Sequence, residues 1–383
     1  MRKARMRGIR PLLTAAGGIL LALSLVACQA ATAQEAAGEK SSAQKTAVEL
    51  PPLSELTPVA DPRTVEGPST VIIGGPSLTP ITASEPELPV TVTSDDGNGR
   101  RQVTVTDTSR IIALSLSGTT AELVDALGFG DRLVGRDVAT DLSDTGDLPV
   151  VTKKGHTVDA EAVLSLDPTL ILTDGSIGPT DVVLQLGDAG IPVVTVPRAT
   201  DPESTYQAIR TIAEALGTAS SADELIDALD DAIAQKSAEI ARLAPTDENR
   251  RPRVAFLYVR GTAGIYYLFG EGSGADSLID SVGAIDVATE IGWVGERPMT
   301  PEALMRIDPD VILVMTKGLE SAGGIDGLLE AQPSIALTKA GEHRRIIDAA
   351  DTEIFAGGTR IPDIMDGLAR ALYAPDSLPA SVF

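Results

Sequence analysis

The sequence predicts an α/β fold made of two Rossmann-like lobes that are joined by one long α-helix. Three observations support this class. Uninterrupted apolar segments alternate with helical segments, one stretch of the chain is repeated, and a long helical run lies between the two copies. Uninterrupted apolar strands separated by helices are typical of parallel sheets that are covered on both faces. In the first half of this region we expect strands at residues 111–116, 170–172 and 193–196.

The internal repeat pairs residues 161–172 with residues 302–313, at an offset of 141 positions. Each copy has the pattern of a short helix, an Asp-Pro pair that stops it, and a buried strand. A second, looser pair matches residues 123–128 with residues 278–283. A period this long predicts two similar lobes rather than a solenoid of many short units.

The segment between the two copies predicts a long helix. Residues 221–224 have the pattern of a capping box, and the helical run continues to about Leu243, before Pro245. About 22 residues at 1.5 Å each span about 33 Å. That length suits a strut between two lobes, although a long helix packed on one domain would show the same pattern.

Composition excludes several classes of function. The chain has 383 residues with 31 basic and 54 acidic side chains, so its net charge is −23, and a polyanion does not bind DNA or RNA by counterion release. A single cysteine excludes an intrachain disulfide framework, a cysteine zinc site and an iron–sulfur cluster. Hydrolase elbows, P-loops and zinc-protease motifs do not occur, and we expect no enzymatic activity.

The first thirty residues predict export. Basic residues up to Arg10 precede an apolar stretch over residues 11–26, and residues 25–28 read LVAC. This ending resembles the bacterial lipobox, which implies a signal peptide at residues 1–27 and a lipid anchor on Cys28. The mature chain would then be held on the outer face of the cell membrane. A plain secretory signal with a chance cysteine is the alternative.

The rest of the chain divides by composition. Residues 28–89 are rich in Ala, Pro, Ser, Thr and Glu without an apolar period, which predicts a disordered tether. Alternating residues from Val90 on either side of the DGNG sequence at residues 96–99 then predict a hairpin. The expected units are an N-terminal lobe at residues 90–220, a linking helix at 221–245 and a C-terminal lobe at 246–383.

Two side chains are candidate iron ligands. His156 precedes Thr157, a suitable N-cap for a helix over residues 158–166, so we expect the histidine on a loop where that helix starts. Tyr258 lies near the end of a predicted strand, and Arg260 shares its face because strand side chains alternate. A cation beside a phenol stabilises the phenolate, a hard ligand suited to ferric iron. An exposed loop histidine and a surface strand tyrosine are the alternatives.

The chain from about Val90 to its end resembles the substrate-binding lipoproteins of ABC importers, in the class that binds metal chelates. The motifs that carry this resemblance lie at residues 110–114, 161–168 and 299–304. The resemblance implies a ligand cleft between the lobes. It also implies two partners, an ABC permease and its ATPase.

Within that class, one ligand from each lobe is similar to the haem-binding lipoproteins of Gram-positive haem importers. There a histidine and a tyrosine bind the iron, and an arginine two residues after the tyrosine hydrogen-bonds it. The resemblance implies that His156 and Tyr258 ligate haem b, with Arg260 beside the tyrosine. It implies surface haem receptors as further partners. A ferric siderophore or cobalamin binder is the alternative.

Other candidates follow from the same resemblance. Flat or apolar side chains are expected to face the cleft: Tyr266, Tyr267, Trp293 and Met299. Four cations are candidates for the haem propionates: Lys153, Lys154, Arg297 and Arg360. Binding proteins of this class dock on the permease through one carboxylate per lobe, which implies Asp181 and Asp280, with Glu122 or Asp125 as alternatives to Asp181. The second histidine, His343, is given no ligand role.

Overall fold

The computed structural model describes residues 50–96, 99–142, 145–153, 155–261, 266–354 and 357–379. Within these residues the chain forms two α/β lobes, one long helix between them, and an N-terminal segment that contacts both lobes. The predicted α/β class is therefore confirmed. The lipobox and Cys28 lie outside the described residues.

The N-terminal lobe is built on a four-stranded parallel sheet of apolar strands that are covered on both faces. Its sheet strands are β4 (Ile111–Leu114), β5 (Leu133–Arg136), β8 (Leu170–Thr173) and β9 (Val193–Thr195), in the order β5-β4-β8-β9. A small hairpin joins β6 (Thr152–Lys153) to β7 (Thr157–Val158). The helices are α1 (Thr119–Val124), α2 (Ala160–Ser165), α3 (Thr180–Asp188) and α4 (Pro202–Ala215).

The hairpin predicted before this lobe is confirmed. Strands β2 (Val90–Asp95) and β3 (Arg100–Val105) pair in antiparallel register, with Val90 opposite Val105. The hairpin packs against the edge of the lobe's sheet, where the backbone N–H of Thr195 donates to the hydroxyl of Ser94 at 2.9 Å. The turn residues 97 and 98 lie outside the described part of the chain.

The linking helix is α5 (Ser221–Ile240), whose 20 residues span about 30 Å. Leu229 packs in the core of the N-terminal lobe and Ile240 in that of the C-terminal lobe, so the helix bridges both as a strut. The predicted capping box is wrong, because the hydroxyl of Ser221 pairs with that of Ser84 at 2.9 Å rather than with the helix backbone. None of the helices in the described residues is long and apolar enough to cross a membrane.

The C-terminal lobe contains a seven-stranded sheet that is mixed, not purely parallel as expected, because one of its strands runs antiparallel to the rest. Its strands are β10 (Arg253–Val259), β11 (Tyr266–Phe269), β12 (Ile285–Asp286), β13 (Glu296–Pro298), β14 (Val311–Met315) and β15 (Ile346–Ala349), with β1 (Ser69–Thr70) from the N-terminal segment. The order is β1-β15-β14-β10-β11-β13, and β12 pairs with β10. The antiparallel strand is β11, which runs against both of its neighbours, β10 and β13.

Eight helices cover this sheet on its two faces, forming one apolar core on each side. They are α6 (Ala275–Ser281), α7 (Val287–Glu290), α8 (Pro301–Ile307), α9 (Thr316–Ser321), α10 (Gly324–Ala331), α11 (Pro333–Ala336), α12 (Lys339–Glu342) and α13 (Ile361–Tyr373).

The internal repeat is visible in the backbone. Asp167 and Asp308 occupy matching positions before proline, and both have φ of 43°. Arg110 donates to the carbonyls of residues 166 and 167, and Arg253 donates to the carbonyls of residues 307 and 308. The two lobes therefore share one local design, in which an arginine at the start of a strand holds the turn between a helix and the adjacent strand.

The prediction of a disordered tether up to residue 89 is wrong for residues 50–89, which we call the strap. The strap begins on the C-terminal lobe, where Leu53 is buried in the core and β1 pairs in parallel with β15. It ends on the N-terminal lobe, where the backbone N–H of Ile81 donates to the carbonyl of Ala126 and that of Glu87 to the carbonyl of Gly217.

Side-chain bonds fix the strap along its course over the C-terminal lobe. Arg63 pairs with Asp310 at 2.8 Å, the hydroxyl of Thr70 donates to Asp348 at 2.7 Å, and the backbone N–H of Ser77 donates to Asp363 at 2.9 Å. These partners are distant in sequence, so the strap is ordered by tertiary contacts rather than by a local pattern.

Six carboxyl groups predict an unusual pH dependence of stability. Burial raises the pKa of each of them above its ordinary value: Glu122, Asp137, Asp174, Asp286, Asp348 and Asp363. An acid whose pKa is higher in the folded than in the unfolded state binds more protons when folded. The free energy of unfolding should therefore increase as the pH falls from neutrality through the folded-state pKa values.

We expect the free energy of unfolding to be larger at about pH 5 than at about pH 7.5, by on the order of 1 kcal/mol. Urea unfolding followed by circular dichroism at the two pH values measures the difference. Asp348→Asn removes one contributor and should make the difference smaller. A stability that decreases steadily from about pH 7.5 to about pH 5 would contradict the expectation.

Candidate functional site

Strand β10 brings a phenol and a guanidinium together at its carboxyl end. Phe256 and Tyr258 lie on one face of the sheet, and Leu257 and Val259 lie on the other. Arg260 extends over the same face as Tyr258, and its Nη1 donates to the phenol oxygen at 3.5 Å. Tyr258 is half-buried and Arg260 is exposed, so both can meet a ligand. The predicted pairing of these two side chains is present.

Strand β11 adds a second tyrosine to this group. Tyr267 is the cross-strand partner of Tyr258, and their ring centroids are 6.3 Å apart with an interplanar angle of 76°. This is the edge-to-face arrangement that aromatic pairs favour. Tyr267 remains 36% exposed, so it offers an open aromatic surface beside the phenol of Tyr258.

Three other predicted pocket residues lie on the opposite face of this sheet. Tyr266 is buried with its hydroxyl 3.2 Å from that of Ser334, and Met299 is buried in the same core. The indole N–H of Trp293 donates to the carbonyl of Leu268 at 3.1 Å. The structure therefore does not bring Trp293 and Met299 together with Tyr258, and core packing accounts for both. Side-chain parity in β11 and β13 depends on strand register, which the sequence does not reveal.

In the N-terminal lobe, His156 lies in the turn of the β6–β7 hairpin and is exposed. The expected helix start at Thr157 is wrong, because that residue belongs to β7 and the N-cap of α2 is Asp159. The backbone N–H of Val158 donates to the carbonyl of Gly178, in the segment that follows β8. The hairpin therefore carries His156 beside the carboxyl ends of the sheet strands.

Two exposed apolar side chains lie near this hairpin. Leu116 and Val138 follow the carboxyl ends of β4 and β5, and they are 42% and 49% exposed. The backbone N–H of Val138 donates to the hydroxyl of Thr152 in β6, so the loop after β5 is joined to the histidine hairpin. The sequence interpretation missed both residues and assigned Leu116 to the strand. An apolar residue directly after a predicted strand was the available signal.

The candidate cations for anionic ligand groups occupy different environments. Lys153 pairs with Asp159 at 2.5 Å, and Arg360 pairs with Glu353 at 3.3 Å. Arg297 of β13 lies opposite Leu268 of β11, on the face of the sheet away from Tyr258. Lys154 lies outside the described residues.

Both predicted docking carboxylates are exposed. Asp181 lies in the first turn of α3. Asp280 lies on α6, and partial burial, followed by the charges of Asp286 and Asp276, raises its pKa. Glu122, the alternative to Asp181, is engaged by Thr359 of the other lobe and does not present its carboxylate to a partner.

The geometry favours ligand capture. Ligands of open α/β sheets bind at the carboxyl ends of the strands, and both Tyr258 and the His156 hairpin lie at such ends, one in each lobe. The C-terminal lobe thereby offers a phenol, a cation and an open aromatic surface, and the N-terminal lobe offers an imidazole and exposed apolar side chains. Among the described residues there is no group of three or more His, Cys, Asp or Glu side chains that could hold a bare metal ion.

Comparison with protein families gives one match. The family model described as periplasmic binding protein matches residues 113–352. An uncharacterized ABC transporter substrate-binding lipoprotein of Bacillus subtilis (strain 168), YvrC, is 29% identical over 290 residues, which cover 75% of this chain and 86% of that protein.

Solved structures add two relatives. The heme binding protein HmuT is 37% identical, with coverage of 82% of this chain and 99% of that chain and a TM-score of 0.74. The periplasmic heme-binding protein RhuT from Roseiflexus sp. RS-1 is 33% identical, with coverage of 70% and 99% and a TM-score of 0.63.

Three alanine variants of HmuT also match, and the replaced residues are a tyrosine, a histidine and an arginine. The arginine follows the tyrosine by two positions, as Arg260 follows Tyr258 here. The histidine precedes the tyrosine by about a hundred positions, as His156 does here.

Proposed function

This chain belongs to the periplasmic binding protein family, and from that premise we propose that it is the extracytoplasmic haem-binding protein of an ABC-type haem importer. It captures haem in the cleft between its lobes and delivers it to the permease without changing it chemically. The coarser role, ligand binding for transport, is that of the family; haem as the ligand, and the residues that hold it, are our proposal.

The pair formed by Tyr258 and Arg260 carries the proposal. A phenolate is an anionic oxygen ligand that suits ferric iron, and the guanidinium of Arg260 donates to the phenol oxygen at 3.5 Å. Arg260 has no carboxylate partner in the described residues, so its charge is available to the tyrosine and to the ligand. A tyrosine that served only core packing would not need an exposed arginine beside its hydroxyl at the end of a strand.

His156 supplies the second ligand from the opposite lobe. Its position in an exposed hairpin turn leaves the imidazole free to approach an iron held by Tyr258. The exposed surfaces of Leu116, Val138 and Tyr267 suit the flat apolar porphyrin. HmuT and RhuT, which bind heme by name, are similar to this chain over most of their length, and this supports the same ligand.

Delivery completes the proposed role. A lipid on Cys28 anchors the chain to the cell membrane, and haem arrives free or from surface haem receptors. The exposed carboxylates Asp181 and Asp280 dock on the permease, one from each lobe, and the ATPase of the importer drives release. The likeness to a substrate-binding lipoprotein of an ABC transporter supports this assembly.

An absorption titration with ferric haem tests the proposal. Residues 29–383, which contain every described residue, should form a 1:1 complex with a Soret band distinct from that of free haem. In His156→Ala we expect the Soret band to shift and the affinity to fall by at least about 100-fold, because an iron ligand is lost and not only a group that orients one. A stopped-flow measurement of haem dissociation should show the same loss.

The chain provides a matched control, since it contains only one other histidine. His343→Ala should leave the spectrum and the affinity unchanged. If the wild-type protein yields only the spectrum of free haem, the proposed ligand is wrong. The same titration with ferric siderophores and cobalamin would then identify the chelate.

A further inference from the structure

A half-buried glutamate joins the two lobes directly. Glu122 lies on α1 of the N-terminal lobe, and Thr359 lies just before α13 of the C-terminal lobe. The carboxylate oxygen of Glu122 accepts from the backbone N–H of Thr359 at 2.8 Å and from its hydroxyl at 2.6 Å. One side chain of the first lobe is thereby held by two donors of the second.

The backbone around this contact is packed too closely for a side chain. A Cβ atom on Gly358 would lie 2.8 Å from a methyl of Thr119 and 2.9 Å from the carboxylate of Glu122, and φ of Gly358 is +81°. A Cβ atom on Gly357 would lie 2.3 Å from the carbonyl oxygen of Ala199. The two glycines therefore allow the C-terminal lobe to approach the N-terminal lobe at backbone distance.

Charge and burial make this contact favour one relative orientation of the two lobes. Burial raises the pKa of Glu122, while the bonds from Thr359 and the charge of Arg360 lower it. Arg360 is itself paired with Glu353 at 3.3 Å. We call the group formed by Glu122, Thr359 and Arg360 the joint, and it contains a cation as well as a carboxylate. A buried carboxylate that loses its donors is costly, because its desolvation is no longer compensated. The lobes therefore favour the one orientation in which Glu122 meets Thr359.

The position of this contact relates it to the ligand site. Helix α1 begins directly after the loop that carries Leu116, and Glu353 follows the carboxyl end of β15. The contact thus joins segments that follow β4 and β15, at the strand ends where the candidate ligand groups of the two lobes also lie. Other contacts also link the lobes: α5, the strap, and the hydrogen bond from the backbone N–H of Gly358 to the hydroxyl of Thr205 at 3.1 Å. Glu122 differs from them because it joins the lobes through a charged side chain.

We infer that Glu122 is a positioning residue that sets the separation between His156 and Tyr258 by fixing the angle between the lobes. The inference rests on the proposed function for its effect on haem, and on the hydrogen bonds to Thr359 for its effect on the lobes. Without this contact, each lobe keeps its own ligand groups, but the distance between them across the cleft is less closely fixed.

A distance measurement between the lobes tests this role. The chain from residue 29 contains no cysteine, so spin labels can be placed at Asp188→Cys in the N-terminal lobe and Glu330→Cys in the C-terminal lobe. Both positions are exposed. Double electron–electron resonance should give one narrow distance distribution for the unsubstituted joint and for Glu122→Gln, which keeps an acceptor for Thr359. For Glu122→Ala we expect a broadened or displaced distribution.

Haem dissociation provides the functional readout. In Glu122→Ala the dissociation rate should rise about tenfold, while the Soret maximum stays in place because both iron ligands remain. Glu214→Ala, an exposed acidic position on α4, should match the wild type in both measurements. If Glu122→Ala does not fold, Thr359→Val takes its place. This substitution removes one of the two donors with little change of volume, and its effect should lie between those of the wild type and of a full loss of the contact.

Unchanged distance distributions and unchanged dissociation rates in Glu122→Ala or in its substitute Thr359→Val would overturn the inference. A wild-type protein that fails to bind haem would instead contradict the proposed function. The distance measurement would still decide the role of Glu122 in the joint, because it does not depend on the ligand.

Discussion

Replacing Tyr258 with phenylalanine is expected to lower the affinity for ferric haem by at least about 100-fold and to abolish the charge-transfer band of the tyrosine-ligated iron. The substitution keeps the ring, its half-buried position and its edge contact with Tyr267, and it removes only the phenol oxygen. Loss of a group that merely orients a metal ligand costs about 10–100-fold, and loss of the ligand itself should cost more. Absorption titration and visible spectra measure both effects.

Two further variants locate the effect at the phenol oxygen of Tyr258. Tyr267→Phe makes the same chemical change on the neighbouring strand and should alter the affinity by less than about threefold. Arg260→Ala leaves the phenol in place but removes its cation, and we expect a loss of about 10–100-fold. If Tyr258→Phe binds haem as well as Tyr267→Phe does, Tyr258 is not an iron ligand.

The second large effect is expected on stability, from Arg345. This side chain is 1% exposed and donates to the carbonyl of Gly67 at 3.0 Å, to the hydroxyl of Ser69 at 2.9 Å and to the carbonyl of Ala371. Burial lowers the pKa of Arg345 to about 10, so the fold retains this cation against the cost of desolvation. Its three bonds join the strap, β15 and α13.

Arg345→Leu should lower the free energy of unfolding by about 3 kcal/mol, because three acceptors, on the strap and on α13, lose their donor in a buried place. Guanidinium unfolding followed by circular dichroism measures the change. The neighbouring Arg344→Leu is a matched control, since Arg344 forms an exposed pair with Asp326 and its loss should cost less than about 1 kcal/mol. Equal stability of the two variants would contradict the structural role of Arg345.

The parts of the fold that were predictable have a local cause. The repeat at residues 161–172 and 302–313, the linking helix and the hairpin from Val90 each follow from periodicity or turn chemistry within about twenty residues. The pairing of Tyr258 with Arg260 was predictable for the same reason, because alternation along one strand places them on one face.

The parts that were not predictable depend on contacts between distant residues. The strap has no period of its own and is ordered by partners such as Asp310 and Asp348. The sequence assigned Trp293 and Met299 to the cleft, because strand register decides on which face of the sheet they lie and the sequence does not reveal that register. In the sequence, Glu122 was only an alternative docking carboxylate. Its contact with Thr359 could not be predicted, because that residue lies 237 positions later.

The strap also bears on the order in which the parts of the protein fold. The N-terminal lobe draws its sheet from residues 111–195, so most of its contacts form within one continuous stretch. The C-terminal lobe places β1 beside β15, and Thr70 bonds to Asp348 across 278 positions. Contacts of such separation form late, because the intervening chain must first be present and closed into a loop. We therefore expect the lobe that carries Tyr258 to become native last, because its edge strand β1 cannot pair until β15 has been synthesised.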